Sequence, residues 1–293
     1  MKRILVCLFH LFLLLSSTSE IHGSPGGEIN IKDRGATGDG VIKNTAIIQS
    51  VIDELNQEGG GTIIIPEGTF LTGNITLKSN VGLHLKFGSV LLGSTDPYDY
   101  LNDGELKHFI NAENASNIVI KGEGTIDGQG QALALNIDSM YHEGSWDDPN
   151  YNYRRHRSGK RPKLLNLKKC DKILLEGITF KNSANWVLCF DICSNLTITR
   201  VTVDSDVYWN NDGMDIGDCR NVRITDCYVN SADDGICLKS HHKGHFNDSI
   251  YISNCTVRSS ASAIKFGTAS VGGFKNVKIE NIYIFDTFRS AIA

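Results

Sequence analysis

Two groups of aspartates punctuate the second half of this chain: Asp212 and Asp215 in "NNDGMD", and the adjacent Asp233 and Asp234 in "ADDG". A single aspartate in a turn asks for no function, because its side chain bonds to the local backbone and tolerates left-handed geometry. Several together are costly, since neighbouring like charges raise at least one pKa. Two chemistries use that cost. In glycoside hydrolysis one protonated carboxyl donates to the leaving oxygen while another activates water, and crowding supplies the split in pKa. In β-elimination from a uronate the carboxylates hold Ca2+ and a basic side chain takes the proton; Lys239 and Lys265 are candidates for that base. A third reading is a non-catalytic glycan-binding protein, in which replacing the acids would leave affinity intact.

Either chemistry requires the two groups to meet in space, and a repeat supplies the means. The segments "ILLEGITF" from Ile173, "LTITRVTV" from Leu196, "VRITDCYV" from Val222, "IYISNCTV" from Ile250 and "VKIENIYI" from Val277 share apolar relative positions 1, 3, 6 and 8. Their starts lie 23, 26, 28 and 27 residues apart. Alternation within each half is strand-like, and the phase shift between positions 3 and 6 implies a bend between two short strands. A strand-and-turn period of this length predicts a solenoid, and the leucine-rich framework is absent. The expected fold is all-β: a right-handed single-stranded parallel β-helix whose coils stack ~4.8 Å apart, its hand following from that of parallel crossovers. Val187, Met214, Ile236 and Ile264 align after the repeats, each two residues beyond Asn185, Asp212, Asp234 and Ser262. Asp212 and Asp234 thereby become neighbours on consecutive coils, with Asp233 alongside.

A solenoid exposes its core at its ends. Residues 24–62 are expected to form an N-terminal cap containing the helix "NTAIIQSVIDELNQE", with Asn44 as N-cap, Ile47, Ile48, Val51, Ile52 and Leu55 as its apolar face, and Gly59 as its stop. Residues 129–163 lose strand periodicity and become polar and aromatic, which predicts a long loop thrown out from one coil. The final "IFDTFRSAIA" stops in mid-pattern, so the C-terminal coils are expected to be incomplete.

A formal net charge of −4 gives no reason to expect a nucleic-acid partner. Residues 1–23 read as a secretory signal, with Lys2 and Arg3 before a short apolar run that is too brief to span a bilayer. The mature chain, 24–293, is expected to be a secreted, soluble monomeric β-helix domain without a membrane partner, periplasmic if the source is Gram-negative. Seven cysteines remain after Cys7. Cys170, Cys193 and Cys219 should stack, as should Cys227 and Cys255, giving a thiol ladder with one bridge at most. Sequons begin at Asn74, Asn114, Asn195, Asn247 and Asn254. Cysteine spacing does not suit zinc, and no metal or cofactor is expected.

Several motifs together resemble glycoside hydrolase family 28, the polygalacturonase-like pectin hydrolases, across the mature chain. "IKDRGATGDG" with its following helix resembles the family's N-terminal cap, and "GEGTIDGQG" (122–130) an early-coil motif. "NNDG" (210–213) is similar to its N-T-D-G motif with Asn211 for Thr, and "ADDG" (232–235) to its G-D-D motif. The resemblance implies that Asp233 is the general acid, that Asp212 and Asp234 position and deprotonate the attacking water with inversion, and that Asn210 orients substrate or neighbouring acids. Asp215 receives no role from it. The family's G-H-G histidine would fall at Ser262, and its substrate-gripping R-I-K would fall where this chain reads "RSAIA". A decorated pectin or another acidic glycan is therefore the expected polysaccharide, pectin-like and galacturonate-containing by the resemblance. Candidates for the missing substrate contacts are Lys239, Lys265, Trp186 beside the acid station, and Arg161 in the basic run 154–163. Trp146, Tyr151 and Tyr153 are further stacking candidates, and His241 or His242 could stand in for the missing histidine.

Overall fold

The computed structural model describes residues 26–293, so the signal expectation for residues 1–23 lies outside it. The chain winds as a right-handed parallel β-helix of three sheets, with nine, nine and eight strands. Relative positions 1 and 3 of each repeat face inward from the first sheet, in the register Ile173, Leu196, Val222, Ile250, Val277. Position 8 belongs to the second sheet, where Phe180, Val203, Val229 and Val257 stack, and position 6 lies just before each of its strands. Between these strands every coil carries one residue with positive φ: Gly177, Arg200, Asp226, Asn254 and Asn281. That left-handed residue makes the bend implied by the phase shift, and Asn, Asp and Gly tolerate it best.

The third sheet carries the acid stations. Its strands Leu188–Asp191, Met214–Gly217, Ile236–Ser240 and Ser262–Ser270 lie in consecutive coils. Leu188, Met214, Ile236 and Ile264 point inward and are wholly buried, each worth roughly 1.5–3 kcal/mol of hydrophobic stabilisation. Leu188, not Val187, thus continues the apolar column, one residue beyond the sequence alignment. Both residues are apolar and buried, so hydropathy alone could not choose between them.

At the N-terminal end, strands Glu28–Asn30 and Asp39–Lys43 already pair with the first complete coil. Helix α1, Thr45–Gln57, then covers the core with Ile48, Val51, Ile52 and Leu55. Asn44 precedes α1 but makes no side-chain cap. Its amide instead bonds Thr37 N, Thr37 O and Ile42 O, tying the entry loop. Gly59, at φ 95°, follows the helix end as expected.

The segment 129–163 leaves the third-sheet side, but its first part is not irregular: Gly130–His142 is a helix, α2, with Leu133, Ala134 and Ile137 buried. Its apolar spacing is short and interrupted by polar residues, so the helical period is weak in sequence. All seven described cysteines are buried free thiols, a ladder without a bridge.

The coils stack closely where the acid stations turn into strand. A Cβ on Gly213 would lie 2.6 Å from Gly235 O, and one on Gly235 would lie 2.5 Å from Ala263 O. Gly235→Ala should therefore destabilise by about 1–3 kcal/mol through overpacking, read as a lower urea midpoint. An unchanged midpoint would show that the coils can part at this point without cost.

Candidate active site

Backbone hydrogen bonds between coils define the station on which the site is built. Leu164 N donates to Trp186 O at 3.2 Å, Val187 N to Asp212 O at 2.9 Å, Gly213 N to Asp234 O at 2.8 Å and Gly235 N to Ser262 O at 2.8 Å. Lys163, Trp186, Asp212, Asp234 and Ser262 therefore share one column. Asp212 and Asp234 are stacked as the sequence implied, but the residue beneath Asp212 is Trp186 and not Asn185. Asn185 turns aside, donating to Arg161 O at 3.1 Å.

The turn ahead of Asp212 is held by the asparagine that replaces threonine in the motif. Asn211, wholly buried, donates to Ser183 O and Asn185 O at 2.9 Å each and accepts from Ser205 Oγ at 2.9 Å. Asn210, in left-handed conformation at φ 63°, donates to Asp212 Oδ1 at 3.2 Å and accepts from Arg157 Nη1 at 3.0 Å. It orients the acid while tethering the insertion. Asp233 sits at the next turn, where its backbone carbonyl accepts from Ser231 and Ser259 hydroxyls. Its carboxylate accepts from Asp234 N at 3.1 Å and stays partly exposed.

The other two acids are buried and countered by lysines from later coils. Asp234 accepts from Ser262 N at 3.1 Å and from Lys265 Nζ at 2.7 Å. Lys239, only 7% exposed, places its ammonium 2.8 Å from Asp212 Oδ2 and 2.8 Å from Asp215 Oδ1. Asp212 and Asp234 bring carboxylate oxygens within 4.8 Å of each other. Burial pushes the Asp212 carboxyl up to about 8, the Asp215 charge adding to the push and Lys239 opposing it. Burial also raises Asp215, again against Lys239. Burial disfavours the Lys239 ammonium, but the facing Asp215 and Asp212 outweigh it and keep it charged.

A cleft of about 330 Å³ opens over this floor, walled by Arg155, Asn210, Asp233, Lys265, His241 and Arg289 among others. Trp209 and Arg289 were not singled out from sequence as contacts near the acids, whereas Arg155 belongs to the basic run read there as a source of positive charge. Trp209, immediately before Asn210, is 53% exposed with Arg155 over its ring at 5.8 Å. Its place in "YWNND" was the available signal. Trp186 is less free than expected, because Lys163 and Lys239 lie over its ring at 4.6 and 4.5 Å.

Arg161 does not reach substrate space. It is 2% exposed and donates to Ser158 O, Ala184 O and Trp209 O, so a buried guanidinium ties the insertion to two coils. Lys239 reaches the cleft only at its floor, with its ammonium spent on Asp212 and Asp215. Trp146 and Tyr151 are buried in the insertion, and Tyr153 bonds Tyr141. Of the histidines, His241 lines the cleft, whereas His242 Nε2 lies 3.1 Å from both Asp191 oxygens. Asp191, Asp218 and His242 are close enough to hold a cation. Asp218 already accepts from Ser240 Oγ, His241 N and His242 N, which leaves it little capacity for a metal.

The architecture is thus a parallel β-helix with stacked aspartates in an open cleft. Residues 57–289 match the sequence profile of Glycosyl hydrolases family 28, and the chain belongs to that family. It is 31% identical to a probable polygalacturonase of Vitis vinifera over 86% of this chain and 54% of that protein. It is 25% identical to an exo-poly-alpha-D-galacturonosidase of Dickeya chrysanthemi over 86% of this chain and 49% of that one. The chain thus spans about half the length of these curated relatives. Among solved structures, the hyperthermoactive exopolygalacturonase of Thermotoga maritima superposes with a TM-score of 0.75 at 26% identity, covering 87% of this chain and 66% of that one.

The raised Asp212 has a consequence for stability. Its folded pKa of about 8 exceeds the ordinary 3.8. The stabilisation from its retained proton is therefore complete below the ordinary value and is lost as pH rises through about 8. Asp212→Asn should raise Tm relative to the parent by several degrees at pH 8 and by much less at pH 4, where about 1 kcal/mol corresponds to roughly 2–4 °C. Equal shifts at the two pH values would contradict this.

Proposed function

We propose that this chain is the catalytic β-helix of a secreted glycoside hydrolase acting on a pectin-like, galacturonate-containing polysaccharide. The observation that carries the reading is the stacking of Asp212 on Asp234, with Asp233 beside them on the cleft rim. A sugar chain lying in the cleft has Asp212 and Asp234 on the same side, in the floor, where two carboxylates can hold one water against the anomeric carbon. Asp233 then protonates the leaving oxygen from the rim. Attack opposite the leaving group gives inversion. The polymer is the partner, and a monomer suffices, because every group invoked comes from one chain.

The names of the Vitis and Dickeya relatives support galacturonate as the sugar. Arg155 and Arg289 support the same choice, because they add positive charge to the cleft wall where a uronate carboxylate would lie. The ion pairs weigh against calcium-assisted elimination. Lys239 and Lys265 already pair with the floor carboxylates, so a divalent cation would have to displace one buried and one half-buried ammonium, and neither lysine is free to serve as the base.

Asp233→Asn should lower kcat by about 10²–10⁴-fold while leaving the circular dichroism spectrum and Tm near the parent. Full activity in this variant would remove Asp233 from its place. With oligogalacturonides, NMR of the first product should show the anomer opposite to the cleaved linkage. Chelators should leave the rate unchanged; an unsaturated, ultraviolet-absorbing product would replace hydrolysis by elimination.

A further inference from the structure

A second pocket, of about 360 Å³, adjoins the catalytic cleft on the side of the earlier coils, and Trp186 and His241 line both. Its volume is near the lower end of the ~300–1,000 Å³ usual for small-ligand sites. Its wall carries Lys163, whose ammonium donates to Asn166 Oδ1 and Cys189 Sγ at 3.1 Å each and lies 4.6 Å from the centre of the Trp186 ring. These partners are neutral, so the charge is not cancelled. An ammonium has three donors, and one remains for a ligand.

The other charged groups of this pocket have partners. Asp191 has His242 Nε2 at 3.1 Å from each oxygen, and Asp215 has Lys239 Nζ at 2.8 Å. Lys168 lies 3.6 Å from Glu113 Oε1. Among the described residues, Lys163 is the pocket's lysine without a carboxylate in ion-pair contact. It is also held in place. Two residues earlier Arg161 is buried on backbone carbonyls, and one residue later Leu164 N joins the ladder at Trp186 O. Lys163, Trp186, Asp212 and Asp234 share one column, which puts Lys163 two coils before Asp212 and three before Asp234. At ~4.8 Å per coil these are separations of ~10 and ~14 Å. That is too far for the sugar whose bond is cut, and it suits another sugar of the same polymer.

We propose that this pocket is a second uronate subsite, in which Lys163 binds the carboxylate of a sugar distant from the scissile bond and Asn166 and Asp191 bond its ring hydroxyls. The assignment rests on the hydrolytic, galacturonate reading given above and extends it. Lys163 is a specificity-determining residue that never meets the reacting atoms. The mixture of groups favours a whole uronate over a small free anion, because an anion on Lys163 would leave the amide and the Asp191–His242 pair unused. A uronate supplies both a carboxylate for the ammonium and hydroxyls for the rest. Since Lys163 is already fixed by its neighbours, little side-chain freedom is lost when the ligand arrives.

The test is calorimetric titration of pentagalacturonide into the full chain carrying Asp233→Asn, which blocks turnover, with Lys163 kept or replaced. Lys163→Met should lower affinity by about 10–100-fold, the worth of a hydrogen bond to a charged group, and Lys163→Arg should recover most of the loss. With Asp233 intact, Lys163→Met should raise KM for the pentamer by a similar factor while kcat changes by less than about twofold. Unchanged affinity in a folded Lys163→Met overturns the proposal. So does a fall in kcat as large as the rise in KM, because the lysine would then be supporting Trp186 and the acid floor. Should Lys163→Met not fold, Lys163→Gln, which keeps a donor for Asn166 Oδ1, carries the same expectation. If the pentamer binds through Lys163 but the parent does not cleave it, the hydrolytic reading falls and the subsite stands. If the parent cleaves it and Lys163→Met binds it equally well, the subsite falls and the hydrolytic reading stands.

Discussion

Everything at this site depends on the unbroken register of parallel backbone hydrogen bonds between coils. Side chains alternate faces along a strand, so a slip of one residue would turn an outward carboxylate into the core. The ladder from Val187 N to Asp212 O, Gly213 N to Asp234 O and Gly235 N to Ser262 O forbids that slip. Glycines at 213 and 235 let the coils approach at the acid stations, where any Cβ would meet the next backbone. The left-handed residue that ends the first-sheet strand of each coil keeps the turns equal, so that registers set far from the site are transmitted to it.

That register concentrates charge where water is scarce. Asp212, Asp215 and Asp234 lie in the floor against Lys239 and Lys265, and both lysines arrive from later coils. In a low-dielectric floor such pairs are held rigidly, and fixed dipoles and charges need no reorganisation when a reaction begins. The arrangement is costly to the fold, which the raised carboxyls of Asp212 and Asp215 express. A cluster retained at such cost is characteristic of functional sites. The insertion contributes from outside. Arg161 anchors it by burying its donors on backbone carbonyls, and Arg157 reaches Asn210 beside the acid.

Much of this was legible in the chain. The apolar positions 1, 3, 6 and 8 report a wall that must bury alternate side chains and bend once, and five copies make the inference stronger than any single strand. The stacking of Asp212 and Asp234 follows from that period, and so do the cysteine columns. Trp186 was placed one residue out because Val187 and Leu188 are equally apolar, and only the ladder distinguishes them. Helix α2 was missed because its buried residues are few. Arg161 was taken for an anion contact from the company it keeps in a basic run, yet burial is a property of its packing and not of its neighbours in sequence.

The sequence by itself determined the solenoid, the coil length and the identity of the stacked acids, because these depend on a periodicity that hydrophobic burial imposes residue by residue. It also carried the motif pair on which the family assignment turned. The tertiary structure alone decided which cation meets which carboxylate. Lys239 lies 27 residues from Asp212 and Lys265 lies 31 from Asp234. A side chain's direction out of a coil, and the depth to which its charge is buried, are set by the coils above and below it rather than by anything local. The shared ammonium between Asp212 and Asp215 could therefore be found only in three dimensions.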